Sequence, residues 1–93
     1  MVVGTVQIEL FIPDSTSLKM KRSAIKSLKD RIRSRFNVSV AEIDNNDKWQ
    51  RATLGVAIVS NETSHIESTI GTITNLVYGD RRVEVIDIQT RFY

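Results

Sequence analysis

The cations of this sequence are concentrated in one segment, Ser17–Asn37, which holds eight of its thirteen basic residues and a single acid, Asp30. Residues three or four apart on a helix are neighbours on its surface. Five of the cations have this spacing and form what we call the cationic stripe: Lys19, Arg22, Lys26, Lys29 and Arg33. Such a row can follow the phosphates of a nucleic acid with an affinity that depends on salt and little on sequence. Together with Lys21, the stripe therefore predicts an RNA-binding surface.

The placement of these cations disfavours the helix that carries them. A cation in the first turns, such as Lys19 or Lys21, opposes the helix dipole at a cost of about 0.3 to 1 kcal/mol. A like-charged pair four residues apart, such as Arg22 with Lys26, costs about 0.2 to 0.5 kcal/mol. A bound anion would offset these costs. The alternative is a solvated helix face, partly neutralised by nearby acids: Glu42, Asp44 or Asp47.

A second candidate is the polar segment around the only tryptophan, Trp49, with Arg51 beside it. An aromatic ring on a polar connection can stack on a base or a ribose. These two residues extend the predicted RNA-binding set. The alternative is that Trp49 closes the edge of a small core and that Arg51 pairs with Asp44 or Asp47.

No residue pattern indicates catalysis or a metal site. The sequence has no cysteine and one histidine, His65, which we expect at the surface. A catalytic triad or a zinc site needs more such residues. The acids at 44–47 lack the glycine and terminal glutamate of a calcium loop, and no glycine-rich phosphate loop is present. We expect no catalytic residues, no cofactor and no enzymatic activity.

The apolar periodicity predicts six elements in the order β-α-β-β-α-β. Alternating apolar residues predict four strands, at Val2–Ile12, Val38–Asp44, Ala52–Ser60 and Val83–Phe92. A period of 3.6 residues predicts two helices, at Ser17–Asn37 and from Ser64 to Gly79.

The residues at the ends of these elements carry more detailed predictions. Ser17 has the side chain of a helix N-cap, and Asn37 can end the same helix in the left-handed conformation. Ser64 and Glu67 have the spacing of a capping box. Strict alternation in the last strand puts three apolar residues on one side, namely Ile86, Ile88 and Phe92.

This order of elements predicts an α+β, ferredoxin-like fold, with a four-stranded antiparallel sheet and two helices on one face. A chain of 93 residues is long enough for one such domain, which we assign to residues 1–93. The third strand lacks the aromatic residues with which an RNA-recognition motif stacks bases. The last strand offers an edge for a homodimer, and the uncovered sheet face offers a second dimer surface, with Gln7, Glu9, Phe11, Gly55 and Ala57.

The N-terminal segment MVVGTVQIELFIP is apolar but has no basic leader. No run of the sequence approaches the ~18 apolar residues that a membrane span requires. We therefore expect a cytoplasmic protein that does not associate with membranes.

Several motifs resemble the bacterial YlxP-like family of small proteins of unknown function. They are Ser17-Leu18-Lys19 with Lys21-Arg22, the run Phe36–Glu42, Asp47 with Trp49–Ala52, and Leu54–Ala57 with Val59-Ser60. The resemblance covers nearly the whole chain, although Met20 replaces the acid of the SLKEKR-like motif. It implies a ferredoxin-like fold and genes often found among those for translation initiation and ribosome maturation. It brings no established catalytic or binding residues.

These observations predict a non-enzymatic RNA- or ribosome-associated binding module that acts in translation or ribosome maturation through its basic helix. The alternative is a protein-interaction or dimerisation module whose basic face meets an acidic protein partner.

Overall fold

The chain forms a four-stranded antiparallel sheet with two helices on one face, as described by a computed structural model of residues 1–93. Its elements are β1 (Val2–Phe11), α1 (Leu18–Arg35), β2 (Ser39–Asp44), β3 (Arg51–Ser60), α2 (Thr63–Tyr78) and β4 (Glu84–Phe92). The strand order is β2-β3-β1-β4, and all neighbouring strands are antiparallel. The predicted ferredoxin-like βαββαβ fold is confirmed.

The core lies between the helices and the two central strands, β1 and β3. Alternate residues of both strands are buried there, and every third or fourth residue of each helix packs on them. Burying one such Ile or Leu side chain contributes about 1.5 to 3 kcal/mol. The contact between α2 and β1 is especially close, because a side chain at Gly4 would collide with Ile66. Neither helix is long and apolar enough to span a membrane.

A β-bulge in β4 changes which of its residues face the core. Leu10 pairs with Val85 and Ile8 pairs with Ile88, so the two core-facing residues of β4 are three positions apart. Val85 and Ile88 pack against the core, whereas Ile86 between them is 50% exposed. Of the predicted row, Ile88 and Phe92 do share one side of β4, whereas the placement of Ile86 is wrong, because strict alternation does not continue through a bulge.

The two ends of α1 differ in how well the sequence predicted them. At the start, the Ser17 hydroxyl accepts a hydrogen bond of 3.1 Å from the Met20 N–H, so the predicted N-cap is confirmed. At the end, Phe36 is already extended, with φ of −131° and ψ of 143°. Asn37 does not adopt a left-handed conformation, since Asn45 is the only non-glycine residue with a positive φ. The chain instead passes directly into β2.

The start of α2 has no side-chain cap. The helix begins at Thr63, and the side chain of its N-cap residue, Glu62, makes no capping hydrogen bond. Ser64 is thus inside the first turn, and the predicted capping box of Ser64 and Glu67 is wrong. Because α2 lacks a side-chain N-cap, it also lacks the stabilisation of about 1 kcal/mol that such a cap provides. The helix is stabilised instead by four residues buried on one side, namely Ile66, Ile70, Ile73 and Val77.

A buried carboxylate, Asp80, connects the turn after α2 to α1. It accepts hydrogen bonds of 3.0 to 3.2 Å from the Arg82 backbone N–H, from the Arg82 guanidinium and from Arg31 Nη1. Arg82 also donates to the Ser27 hydroxyl at 3.1 Å. Burial alone would raise the pKa of Asp80, but the hydrogen bonds from Arg82 and the charges of both arginines together lower it.

We predict that Asp80→Asn lowers the free energy of unfolding by about 2 kcal/mol at pH 7, because an amide cannot accept these charge-assisted bonds. The pKa of Asp80 is lower in the folded state than in the unfolded state. Its stabilisation is therefore present above pH ~4 and is lost as the pH falls through the folded-state pKa. Urea unfolding measures the free energy of unfolding of the parent protein and of Asp80→Asn. The difference between these two values should be smaller at pH ~2.5 than at pH 7.

The control is Asp14→Asn, since Asp14 is exposed and makes no ion pair. This variant should unfold like the parent protein at both pH values. A stability difference for Asp80→Asn that is as large in acid as at pH 7 would contradict the role assigned to the carboxylate.

Candidate nucleic-acid interface

The cationic stripe lies along the flank of α1 that faces the edge strand β2. At about 100° per residue, its five members fall within a sector of about 80° beside the buried side of the helix. Arg33 locates this flank, because its Nη2 donates to the backbone carbonyl of Val40 in β2 at 3.0 Å. Lys29 is partly buried, and the other four stripe residues are exposed. The spacing therefore places the predicted residues on one continuous surface.

Asp30 neutralises part of the stripe. It pairs with Lys26 at 2.8 Å and with Arg33 at 3.5 Å. The hydrogen bond from Lys26 is the main reason that the pKa of Asp30 is lowered. The predicted neutralising acids do not contact the stripe, and the remaining three members make no ion pair. These three are Lys19, Arg22 and Lys29, and we call them the free cations.

Lys21 does not belong to this surface, because its side chain is completely buried. Its Nζ lies 2.7 Å from Glu42 Oε2 and donates to the backbone carbonyls of Asn45 and Asn46, at 2.9 and 3.2 Å. A fourth acceptor, the Arg51 carbonyl, is 3.4 Å away. The prediction of Lys21 as a nucleic-acid contact is thus corrected. Its spacing from the buried residues Ile25, Leu28 and Ile32 is the sequence signal that assigns it to the apolar side of α1.

The loop between β2 and β3, residues 45–50, is fixed by side chains at both ends. At its start, Asn45 has a φ of 61°, a conformation that asparagine tolerates better than most residues. The Asn45 amide donates to Thr53 Oγ1 at 2.9 Å. At its end, the Gln50 amide donates to the carbonyls of Pro13 and Ser15, both at 3.1 Å. The Gln50 bonds attach the loop to the segment before α1, and the Lys21 contacts attach it to the helix itself.

Trp49 directly precedes Gln50 in this loop and has 57% of its surface exposed. The alternative that Trp49 closes the edge of the core is therefore wrong. Arg51 pairs with neither Asp44 nor Asp47. Its guanidinium is 3.9 Å from Glu9 Oε2, on the sheet face opposite the helices. Because Gln50 is bonded to the segment just before α1, the backbone of Trp49 lies near the N-terminal end of the helix, whereas the Arg51 side chain lies on the opposite face of the sheet.

His65 is exposed in the first turn of α2, as predicted from the sequence. No three histidine, aspartate or glutamate side chains are grouped in a way that could hold a metal ion.

Comparison with known proteins gives both a family and a fold. Residues 3–90 match the family model described as "Protein of unknown function (DUF503)". The chain is 30% identical over 92 residues to "Uncharacterized protein YlxP" of Bacillus subtilis (strain 168), across 99% of this chain and 100% of that protein.

Two similar solved structures are designed proteins. "De novo designed protein Foldit4" has a TM-score of 0.57 and 14% identity, covering 100% of this chain and 97% of its own. The designed protein LFR1 1 with ferredoxin fold has a TM-score of 0.53 and 13% identity, covering 98% and 86%. At these identities the likeness concerns the fold alone.

We predict that Lys21→Met lowers the free energy of unfolding by about 3 kcal/mol, because it leaves the largely buried Glu42 carboxylate without its partner. The double variant Lys21→Met/Glu42→Leu should lose less, since it also removes the unpaired charge. Urea unfolding measures both. Lys19→Met serves as control and should change stability by less than about 0.5 kcal/mol, because Lys19 is exposed and unpaired. Equal stabilities of Lys21→Met and Lys19→Met would show that the buried ammonium has no structural role.

Proposed function

This chain belongs to the DUF503 family, together with the YlxP protein of Bacillus subtilis, and we propose that it is a cytoplasmic, non-enzymatic RNA-binding module. One juxtaposition supports the proposal. Three free cations lie in a row on one flank of α1, and an exposed tryptophan is fixed on a loop attached to the first turns of the same helix.

The cost of this arrangement to the helix supports a bound anion. The first turn of α1 contains no acid, and Lys19 lies in it without a partner. Arg22 is followed four residues later by Lys26, and Lys29 is followed four residues later by Arg33. Both features destabilise a helix, and Asp30 offsets only part of this repulsion through its pairs with Lys26 and Arg33. Phosphates bound along the flank would remove this repulsion. Folding alone does not require such an arrangement of cations.

The dimensions of the flank suit an extended polyanion. From Lys19 to Arg33 the helix rises about 21 Å, which is long enough to contact several successive phosphates of one strand. Trp49, near the beginning of this line, offers a ring on which a base can stack. The outward-facing residues of β3 include Thr53, Gly55 and Ala57 and no aromatic residue, so this strand offers no ring on which a base could stack. The gene neighbourhood that the family resemblance implies makes ribosomal RNA the first RNA to test.

A protein-interaction or dimerisation role is the second candidate. The basic flank would then meet an acidic protein instead of RNA. A different feature, the uncovered face of the sheet, favours dimerisation.

We predict that Arg22→Gln/Lys29→Gln weakens the affinity for ribosomal RNA about tenfold and lowers the slope of log affinity against log salt by about one to two, because two phosphate contacts are lost. Fluorescence anisotropy over a salt series measures both quantities. The matched control is Arg35→Gln/Arg81→Gln, which removes the same charge from unpaired cations outside the flank. Equal losses for the two variants would show that only net charge matters and would contradict a binding flank.

We predict that Trp49→Ala weakens RNA binding by about 1 to 3 kcal/mol through the loss of one stacked base, while thermal stability stays nearly constant. Tyr78→Ala is the control, because Tyr78 is a comparably exposed aromatic residue at the end of α2. The same RNA titration applies to both. An affinity for Trp49→Ala equal to that of the control would remove the loop from the proposed interface.

A further inference from the structure

The sheet face opposite the helices, which we call the open face, has no charged residue at its centre, where two glutamines lie beside small residues. Gln7 pairs with Gly55 on one side and with Gln89 on the other, and Gly55 pairs with Ala41. A shallow groove of about 350 Å³ runs over this centre. Exposed apolar side chains border it, with Ile43 folded against Gly55 and Tyr93 beyond Thr5. A second sheet can therefore approach this face closely.

The charges of the open face are separated along the strands. On one side of the central row of Gln7 and Gln89, Arg91 pairs with the uncharged Thr5. On the other side, Asp87 lies directly opposite Glu9. Like charges in directly opposed cross-strand positions destabilise a sheet. Glu9 is partly compensated by Arg51, whereas Asp87 and Arg91 make no ion pair.

We propose that the open face binds a second copy of this chain, sheet against sheet, with the strands of the two copies antiparallel. The twofold axis of this dimer runs perpendicular to the strands, along the row of Gln7 and Gln89. It places each residue over the residue of the other copy that lies on the same strand, equally far from this row but on its opposite side. Arg91 and Asp87 are each two residues from Gln89 on β4, so each Arg91 comes to lie over Asp87 of the other copy. The symmetry forms this ion pair twice.

The same axis matches the apolar positions. Val3 and Phe11 lie four residues to either side of Gln7 on β1, and both face outward and are partly buried. The axis therefore places Val3 of each copy over Phe11 of the other copy. A twofold axis parallel to the strands would instead bring Arg91 over Ser39 on the opposite edge of the sheet and would leave Asp87 unpaired. The charges thus select the antiparallel arrangement.

The area of the open face is sufficient for a dimer. The four strands have 10, 6, 10 and 9 residues and lie about 4.8 Å apart, so they present roughly 550 Å² in projection. The accessible area of this uneven surface is larger, and a stable interface buries about 800 Å² per partner. Packed sheets lie about 10 Å apart, so small central residues suit the contact. Both cationic stripes stay on the outside of such a dimer, and the proposal is independent of RNA binding.

The test is sedimentation equilibrium of the nuclease-treated full chain and of four variants. The parent protein is expected to form a dimer, and Arg91→Glu and Asp87→Arg alone are each expected to raise the dimer dissociation constant at least about tenfold. The double variant Arg91→Glu/Asp87→Arg should return it close to the parent value, because the ion pair is restored with reversed polarity. Arg81→Glu, with the same charge change as Arg91→Glu at an unpaired cation off the sheet, should have no effect.

Circular dichroism shows whether each variant is folded, which is expected because both positions are exposed. A parent protein that stays monomeric up to ~100 μM would overturn the proposal. So would a dimer that nuclease treatment abolishes, because RNA would then hold the copies together. A double variant no better than the single variants would contradict the pairing of Arg91 with Asp87 on which the interface depends.

Discussion

The buried ammonium group of Lys21 is the contact on which the candidate site depends. A lysine loses its hydration when it is buried and is retained only where acceptors replace that water. Here one carboxylate and the carbonyls of the β2–β3 loop supply them. No buried polar side-chain atom of the protein lacks a partner. Helix α1, strand β2 and the loop are thereby held in one arrangement, which sets where Trp49 stands relative to the free cations.

This arrangement gives the protein two surfaces of different character on opposite sides. The flank of α1 is cationic and polar, whereas the open face is uncharged at its centre and carries charges of both signs towards its ends. Because the sheet separates them, one surface can be occupied without blocking the other. A dimer through the open face would also carry two cationic flanks, and two linked sites bind a long polymer more tightly than either site alone.

The sequence predicted the fold well because its apolar periods agree with the strands and helices that form. It failed where a local irregularity broke the period, as at the bulge beside Ile86. For the site, spacing alone located the stripe, but it could not show that Asp30 pairs with two of its members. For Lys21, residue type favours the surface, whereas its position on the helix favours the apolar side, and the structure follows the position. The exposure of Trp49 depends on the backbone path of a six-residue loop, which no periodicity describes.

The Lys21 contacts also make the loop and the helix depend on each other. The ammonium group joins residues 21 to 30 positions apart along the chain. Such long-range contacts restrict the chain only when both partners are in place, because closing the intervening segment costs entropy. The β2–β3 loop and the docked helix α1 therefore depend on the same contacts. A change that releases Lys21 from its acceptors would loosen the loop that displays Trp49 together with the first turns of the helix.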